Sequence, residues 1–194
     1  MRIGITGGIG SGKSEITRYL RSLGEYVICA DEVSRQIVLP GQEGANALRQ
    51  VFGDGFFRID GTLNRKKLAD EVFEDEEKLK VLNNTLHPLI LKRIEFLATQ
   101  WQGRVFVDAA LLIQTGMHNS VDIVWLVVAG LSTRIARVVS RDGLSAAEVE
   151  RRIKSQISDD DMARFADEII HNDGSLSALQ SRVDELLKHL ENVR

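Results

Sequence analysis

The chain has 194 residues, one cysteine, 27% charged residues and a formal net charge of −3. That length suits one domain with at most an inserted region, and a lone cysteine excludes an intrachain disulfide or a multi-cysteine metal site. The small negative excess supplies no global field for nucleic acid or an acidic membrane, and no apolar run reaches membrane-spanning length. Met1-Arg2 leads into a strand pattern rather than an apolar leader, so the expected location is cytoplasmic, with no nucleic-acid or membrane partner.

Arg2–Thr6 reads as the first strand. It runs into Gly7-Gly8-Ile9-Gly10-Ser11-Gly12-Lys13-Ser14, a complete G-x-x-x-x-G-K-[ST] pattern. A plain glycine-rich turn is the simpler explanation, but the position between a strand and a helix is the one a phosphate-binding loop needs. Glycines let the backbone wrap and turn its N–H groups inward, at a helix start that already favours negative charge. Lys13 adds a full charge near the β- and γ-phosphates, and the Ser14 hydroxyl is a candidate Mg²⁺ ligand. Gly8, Ile9, Gly10, Ser11, Gly12, Lys13, Ser14 and Glu15 form the candidate nucleotide-binding set.

The spacing predicts a helix over Lys13–Leu23, with Ile16, Tyr19, Leu20 and Leu23 on one face, then a short strand over Tyr26–Cys29. From Asp31 to about Gln102 the pattern is mostly helical. Leu63–Phe73, Glu76–Leu86 and Leu89–Trp101 are separate helices, with His87 as a boundary residue before Pro88. This is too much for a simple crossover, so a helical substrate-covering region is expected between two parallel strands. Arg104–Asp108 and Val121–Val128 are rich in β-branched and apolar residues, as strands buried on both faces are. Ser145–Ile157 is a charged helix opened by the capping-box pair Ser145 and Glu148, and a candidate lid. Asp167–His171 is a last short strand before an amphipathic helix around Ser177–Leu190. The expected class is α/β: a three-layer parallel-sheet core (about 1–30, 103–133 and 165–194), a helical substrate-covering insert (about 31–102) and a lid (about 134–164).

In open α/β sheets ligands sit beyond the carboxyl ends of the strands, which draws attention to Asp31 and Asp108. Asp31 either takes the proton from an attacking hydroxyl or caps a helix that begins near Glu32. Asp108, ending Val105-Phe106-Val107-Asp108, either holds Mg²⁺ directly or through water, or caps a helix after a buried strand. Arg134, Arg137 and Arg141 share one helix face, which is either a solvated stripe or a clamp on triphosphate. Cys29, in an apolar run, reads as a small buried thiol.

These residues resemble the dephospho-CoA kinase family, nearly end to end. The match begins with Ile5-Thr6 and the loop and continues through Ala30-Asp31 with Arg35. It takes in Asp60-Gly61-Thr62-Leu63-Asn64-Arg65, His87-Pro88, and Val107-Asp108 with Leu111-Leu112. It ends with Arg137 and Arg141, Gln156, and Ala166-Asp167 with Asn172. The resemblance implies a P-loop kinase core with a helical acceptor-binding insert and a lid, and transfer of the γ-phosphoryl group of ATP to the ribose 3′-hydroxyl of dephospho-CoA, with Mg²⁺. It implies Asp31 as general base beside Lys13, acceptor contacts from Asp31, Arg35, Arg65 and His87, and lid contacts to ATP from Arg137 and Arg141. Cys29, Glu15, Ala110 and Gln114 depart from the family pattern. The rivals are a kinase for another small acceptor and a nucleotide-operated switch; neither an N-K-x-D guanine motif nor an L-S-G-G-Q stretch is present.

Overall fold

The computed structural model describes residues 1–192. They form two compact units: Met1–Val27 with Gly103 onward, and Ile28–Gln102.

The first unit is built on a sheet with the order β2-β3-β1-β4-β5. The strands are β1 (Arg2–Thr6), β2 (Tyr26–Cys29), β3 (Val105–Asp108), β4 (Ile123–Val128) and β5 (Glu168–His171). Pairing is parallel, with Ile5 opposite Asp108 on one side and Trp125 on the other, and Val128 opposite His171. The chain enters β2 in this unit and leaves it in the other.

Strand alternation decides which face each side chain covers. Ile3, Ile5, Phe106, Trp125, Val127 and Ile170 share one cluster with α1 (Lys13–Ser22) and with α9 (Leu176–Asn192). Leu126, one residue out of step with Trp125 and Val127, packs instead with Ile113 and Met162. Phe106 and Trp125 meet with ring centroids 5.4 Å apart. The other helices of this unit are α6 (Leu131–Asp142), α7 (Ala146–Lys154) and α8 (Asp159–Ala163). Ser145 caps α7 in a full capping box: its hydroxyl accepts the Glu148 N–H, and the Glu148 carboxylate accepts the Ser145 N–H at 2.9 Å.

The second unit is helical, with α2 (Ala30–Gln36), α3 (Glu43–Phe52), α4 (Arg65–Phe73) and α5 (Glu76–Thr99). Phe57–Leu63 forms a tight reversal closed by Arg58 N–H on the Thr62 carbonyl at 2.9 Å. The Asp60 carboxylate accepts both the Thr62 N–H (2.9 Å) and its hydroxyl (2.6 Å), and Gly61 supplies the positive φ. Periodicity gave no hint of this turn, because its organisation is local hydrogen bonding rather than an apolar stripe.

The expected break at Pro88 is a correction. α5 runs unbroken for 24 residues through Pro88. Proline deletes one N–H, here the donor to the Asn84 carbonyl, and its ring crowds the preceding turn. The Asp75 carboxylate caps the start through Glu77 and Lys78 N–H groups, and α2, α3 and α4 all pack on this helix. Tertiary packing outweighs a local penalty of about 3 kcal/mol. Pro88→Ala is therefore expected to raise stability by roughly 1–3 kcal/mol in denaturant unfolding; an unchanged or lower midpoint contradicts this account of α5.

Candidate active site

The loop after β1 is the centre of the first unit. Ser11 N–H closes on the Gly8 carbonyl at 3.1 Å, and Glu15 N–H on the Gly12 carbonyl at 2.9 Å. The Ile9 N–H is taken by Gln156 Oε1 at 2.9 Å. The N–H groups of Gly10, Gly12, Lys13 and Ser14 donate to no acceptor among the described residues. Gly12 caps α1 with φ 92° and no side-chain bond, so the helix begins with orphan donors. This is the charge pattern that a polyphosphate satisfies. Three members of the expected set differ from the rest: the Ile9, Ser11 and Glu15 amides are occupied internally, and the Glu15 carboxylate pairs with Arg18.

The loop is packed hard against α6. A Cβ on Gly10 would lie 2.7 Å from the Arg134 carbonyl oxygen, and one on Gly12 would collide with the Asn172 side-chain amide. Both glycines also have φ in the left-handed region.

Lys13 Nζ pairs with Asp108 Oδ1, and both side chains are nearly buried. The second Asp108 oxygen and the Ser14 hydroxyl carry no partner among the described residues. Neither aspartate singled out in the sequence is a helix cap. After Asp108 the chain turns through 110–116 without starting a helix. α2 is capped by Cys29 without a side-chain bond, and Asp31 is its second residue. The Asp31 carboxylate is exposed and has no partner among the described residues. Cys29 is half-buried.

The arginine stripe divides. Arg134 is 6% exposed; its Nε donates to the Ile9 carbonyl at 2.9 Å and its Nη1 pairs with Asp159 at 3.1 Å. Arg137 donates to the carbonyls of Gly10 (3.4 Å), Ser11 (3.3 Å) and Asn172 (2.8 Å). Arg141 is exposed and forms a fork with Asp142 at 2.7 and 2.8 Å. The solvated stripe is therefore wrong for Arg134 and Arg137, whose hydrogen bonds are spent on the loop's outer carbonyls. Asn172 Nδ2 adds a bond to the Ser11 carbonyl at 2.8 Å. Next to it, Asp173 accepts the Gly130 N–H (2.8 Å) and the Thr133 hydroxyl (2.9 Å), fixing the start of α6. These bonds hold the Asp173 carboxyl below its ordinary 3.8, so the clamp is intact above that value and is lost only as pH falls through the lower, folded one. Sequence reasoning reached Asn172 and Gln156 only through the family pattern. It missed Asp159 and Asp173, whose partners are distant in the chain.

In the second unit the structure joins two of the expected acceptor residues: Arg65 Nη2 donates to the Arg35 carbonyl at 3.1 Å. His87 sits mid-way along α5, half-buried. Burial pushes its imidazole below the ordinary 6.5, so the neutral ring dominates near pH 7. Its contribution to stability is present above 6.5 and fades as pH falls through the folded value. An NMR titration of His87 is expected to show a midpoint below 6.5; one at or above it contradicts the burial argument.

Among the described residues no helix is long and apolar enough to cross a membrane, and none cluster as three or more metal-ligating side chains.

A sequence model of the family described as dephospho-CoA kinase matches residues 1–178. A dephospho-CoA kinase of Corynebacterium glutamicum is 38% identical, covering 98% of this chain and 97% of its own. A solved structure from Thermus thermophilus superposes with a TM-score of 0.84 at 32% identity, covering 98% of this chain and 97% of that one. The dephospho-CoA kinase structure from Campylobacter jejuni gives 0.72 at 26%, covering 97% and 96%. With its loop, its parallel sheet and these full-length likenesses, the chain belongs to the dephospho-CoA kinase family.

Proposed function

We propose that this chain transfers the γ-phosphoryl group of ATP to the ribose 3′-hydroxyl of dephospho-CoA, giving coenzyme A, the final step of that synthesis. The observation that carries the reading is the set of N–H groups at Gly10, Gly12, Lys13 and Ser14 without an acceptor among the described residues, on the loop that also carries the Lys13 ammonium. Phosphoryl transfer asks little covalent chemistry of a protein. It asks for positioning, and for positive charge and N–H donors around the moving group.

Residues Gly8 to Glu15 form the ATP subsite, with Gly10, Gly12, Lys13 and Ser14 making the amide contacts. Lys13 follows charge onto the β- and γ-oxygens, leaving Asp108. Arg141, exposed at the end of α6, is the proposed lid contact to ATP. Arg137 serves the same subsite from behind the loop.

Mg²⁺ fits the residues present: the Ser14 hydroxyl and the second Asp108 oxygen, neither bonded among the described residues, are hard oxygen donors of the kind this ion takes alongside nucleotide oxygens. When bound, Mg²⁺ neutralises charge on the phosphates.

Asp31 is the proposed general base. Its support is the family pattern around Ala30-Asp31 and a carboxylate free to accept a proton. Arg35 and Arg65, linked through a backbone carbonyl, and neutral His87 are the proposed acceptor contacts. The cytoplasm is the proposed location, and ATP and dephospho-CoA the small-molecule partners.

The test is incubation with ATP, Mg²⁺ and dephospho-CoA, followed by mass analysis. The expected product is heavier than the acceptor by one phosphoryl group, and ATP is consumed rapidly only when the acceptor is present. Transfer to other small alcohols but not to dephospho-CoA would overturn the acceptor assignment. Acceptor-independent hydrolysis would favour the nucleotide switch.

A further inference from the structure

We infer that Arg134, Arg137 and Asn172 are positioning residues for the phosphate-binding loop: they hold the carbonyls of Ile9 and Ser11 outward, and so aim the Gly10 and Gly12 amides inward before any nucleotide arrives. The inference rests on the kinase reading for its catalytic consequence, and on geometry alone for the brace itself.

In a trans peptide unit the carbonyl of one residue and the N–H of the next lie in one plane and point opposite ways. Pinning a carbonyl therefore aims the following amide. Arg134 Nε holds the Ile9 carbonyl at 2.9 Å, which aims the Gly10 N–H. Asn172 Nδ2 holds the Ser11 carbonyl at 2.8 Å, joined by Arg137 Nη1 at 3.3 Å, which aims the Gly12 N–H. Those two amides are among the donors left without a protein acceptor. Without such a brace, peptide planes flanked by glycine rotate readily, and a rotated plane presents a carbonyl oxygen to a phosphate instead of a donor.

The braces are themselves fixed. Arg134 is buried and tied to Asp159 at 3.1 Å. Arg137 Nη2 donates to the Asn172 carbonyl at 2.8 Å, and Asn172 is 3% exposed. Asp173 anchors the first turn of α6, which carries both arginines. The missing Cβ atoms of Gly10 and Gly12 let the loop approach this frame.

The decisive variants are Asn172→Asp, which keeps shape but replaces the donor with an oxygen facing the Ser11 carbonyl, and Arg137→Lys, which keeps charge but loses the fork. Val183→Ala, in the α9 core, serves as a control that lowers stability without touching the loop. In the nucleotide-free protein, the ¹⁵N amide signals of Gly10 and Gly12 are expected to broaden or shift in both brace variants and to stay put in Val183→Ala. MgATP affinity is expected to fall about 10-fold or more and kcat at saturating ATP about 10- to 100-fold, while KM for dephospho-CoA stays within about twofold. Unaltered Gly10 and Gly12 signals with ATP affinity within twofold of the parent would overturn the inference, as would losses no larger than in Val183→Ala. A parent protein that binds no MgATP would instead sink the kinase reading, leaving the amide signals to decide the brace.

Discussion

Lys13→Ala is expected to lower turnover about 10³-fold, by analogy with removing one preorganised donor from a charge-developing centre. It also affects stability, because Lys13 and Asp108 form a nearly buried pair with side chains 15% and 10% exposed. Removing one partner strands the other charge, a loss of about 2–3 kcal/mol at this degree of burial, or roughly 5–10 °C in Tm. The double variant Lys13→Ala with Asp108→Asn separates the effects. Stability is expected to recover in large part, because no charge is left unpaired, while turnover stays at the Lys13→Ala level or below. Recovered turnover together with recovered stability would mean that Lys13 acts only through the fold.

Asp31→Asn is expected to lower kcat by about 10²–10⁴-fold, the span of a positioned general base, with a Tm change of at most a degree or two. The small stability effect follows from the structure: Asp31 is exposed, lies one residue inside α2, and makes no side-chain bond among the described residues. Asparagine keeps the shape and removes the basicity. Near-normal turnover in a folded Asp31→Asn protein would remove the base assignment while leaving the ATP subsite untouched. A large fall in Tm would show that the carboxylate serves α2 instead.

Much of the architecture was legible in advance because the relevant signals are local. β1, β2 and the start of α1 fall where the apolar pattern puts them, since strand and helix periods are written over a few residues. The capping box at Ser145 is legible for the same reason. Pro88 misleads, because a local rule gives way to packing on three other helices. The site divides similarly. Gly7 to Ser14 announces itself through spacing, but the Lys13–Asp108 pair joins residues 95 apart, and the Asn172 bond to Ser11 joins residues 161 apart. Nothing in a helical arginine stripe tells which member turns inward. Arg134 and Arg137 are distinguished from Arg141 only once α6 is laid against the loop.

Nucleotide binding by this chain depends on the open amides of Gly10, Gly12, Lys13 and Ser14 receiving the phosphates of ATP. Calorimetric titration of the intact protein with MgATP tests this most directly. A single site with micromolar-range affinity, abolished or greatly weakened in the Lys13→Ala/Asp108→Asn protein, is the predicted result. A folded protein that takes up no heat from any adenine nucleotide in the presence of magnesium would contradict it.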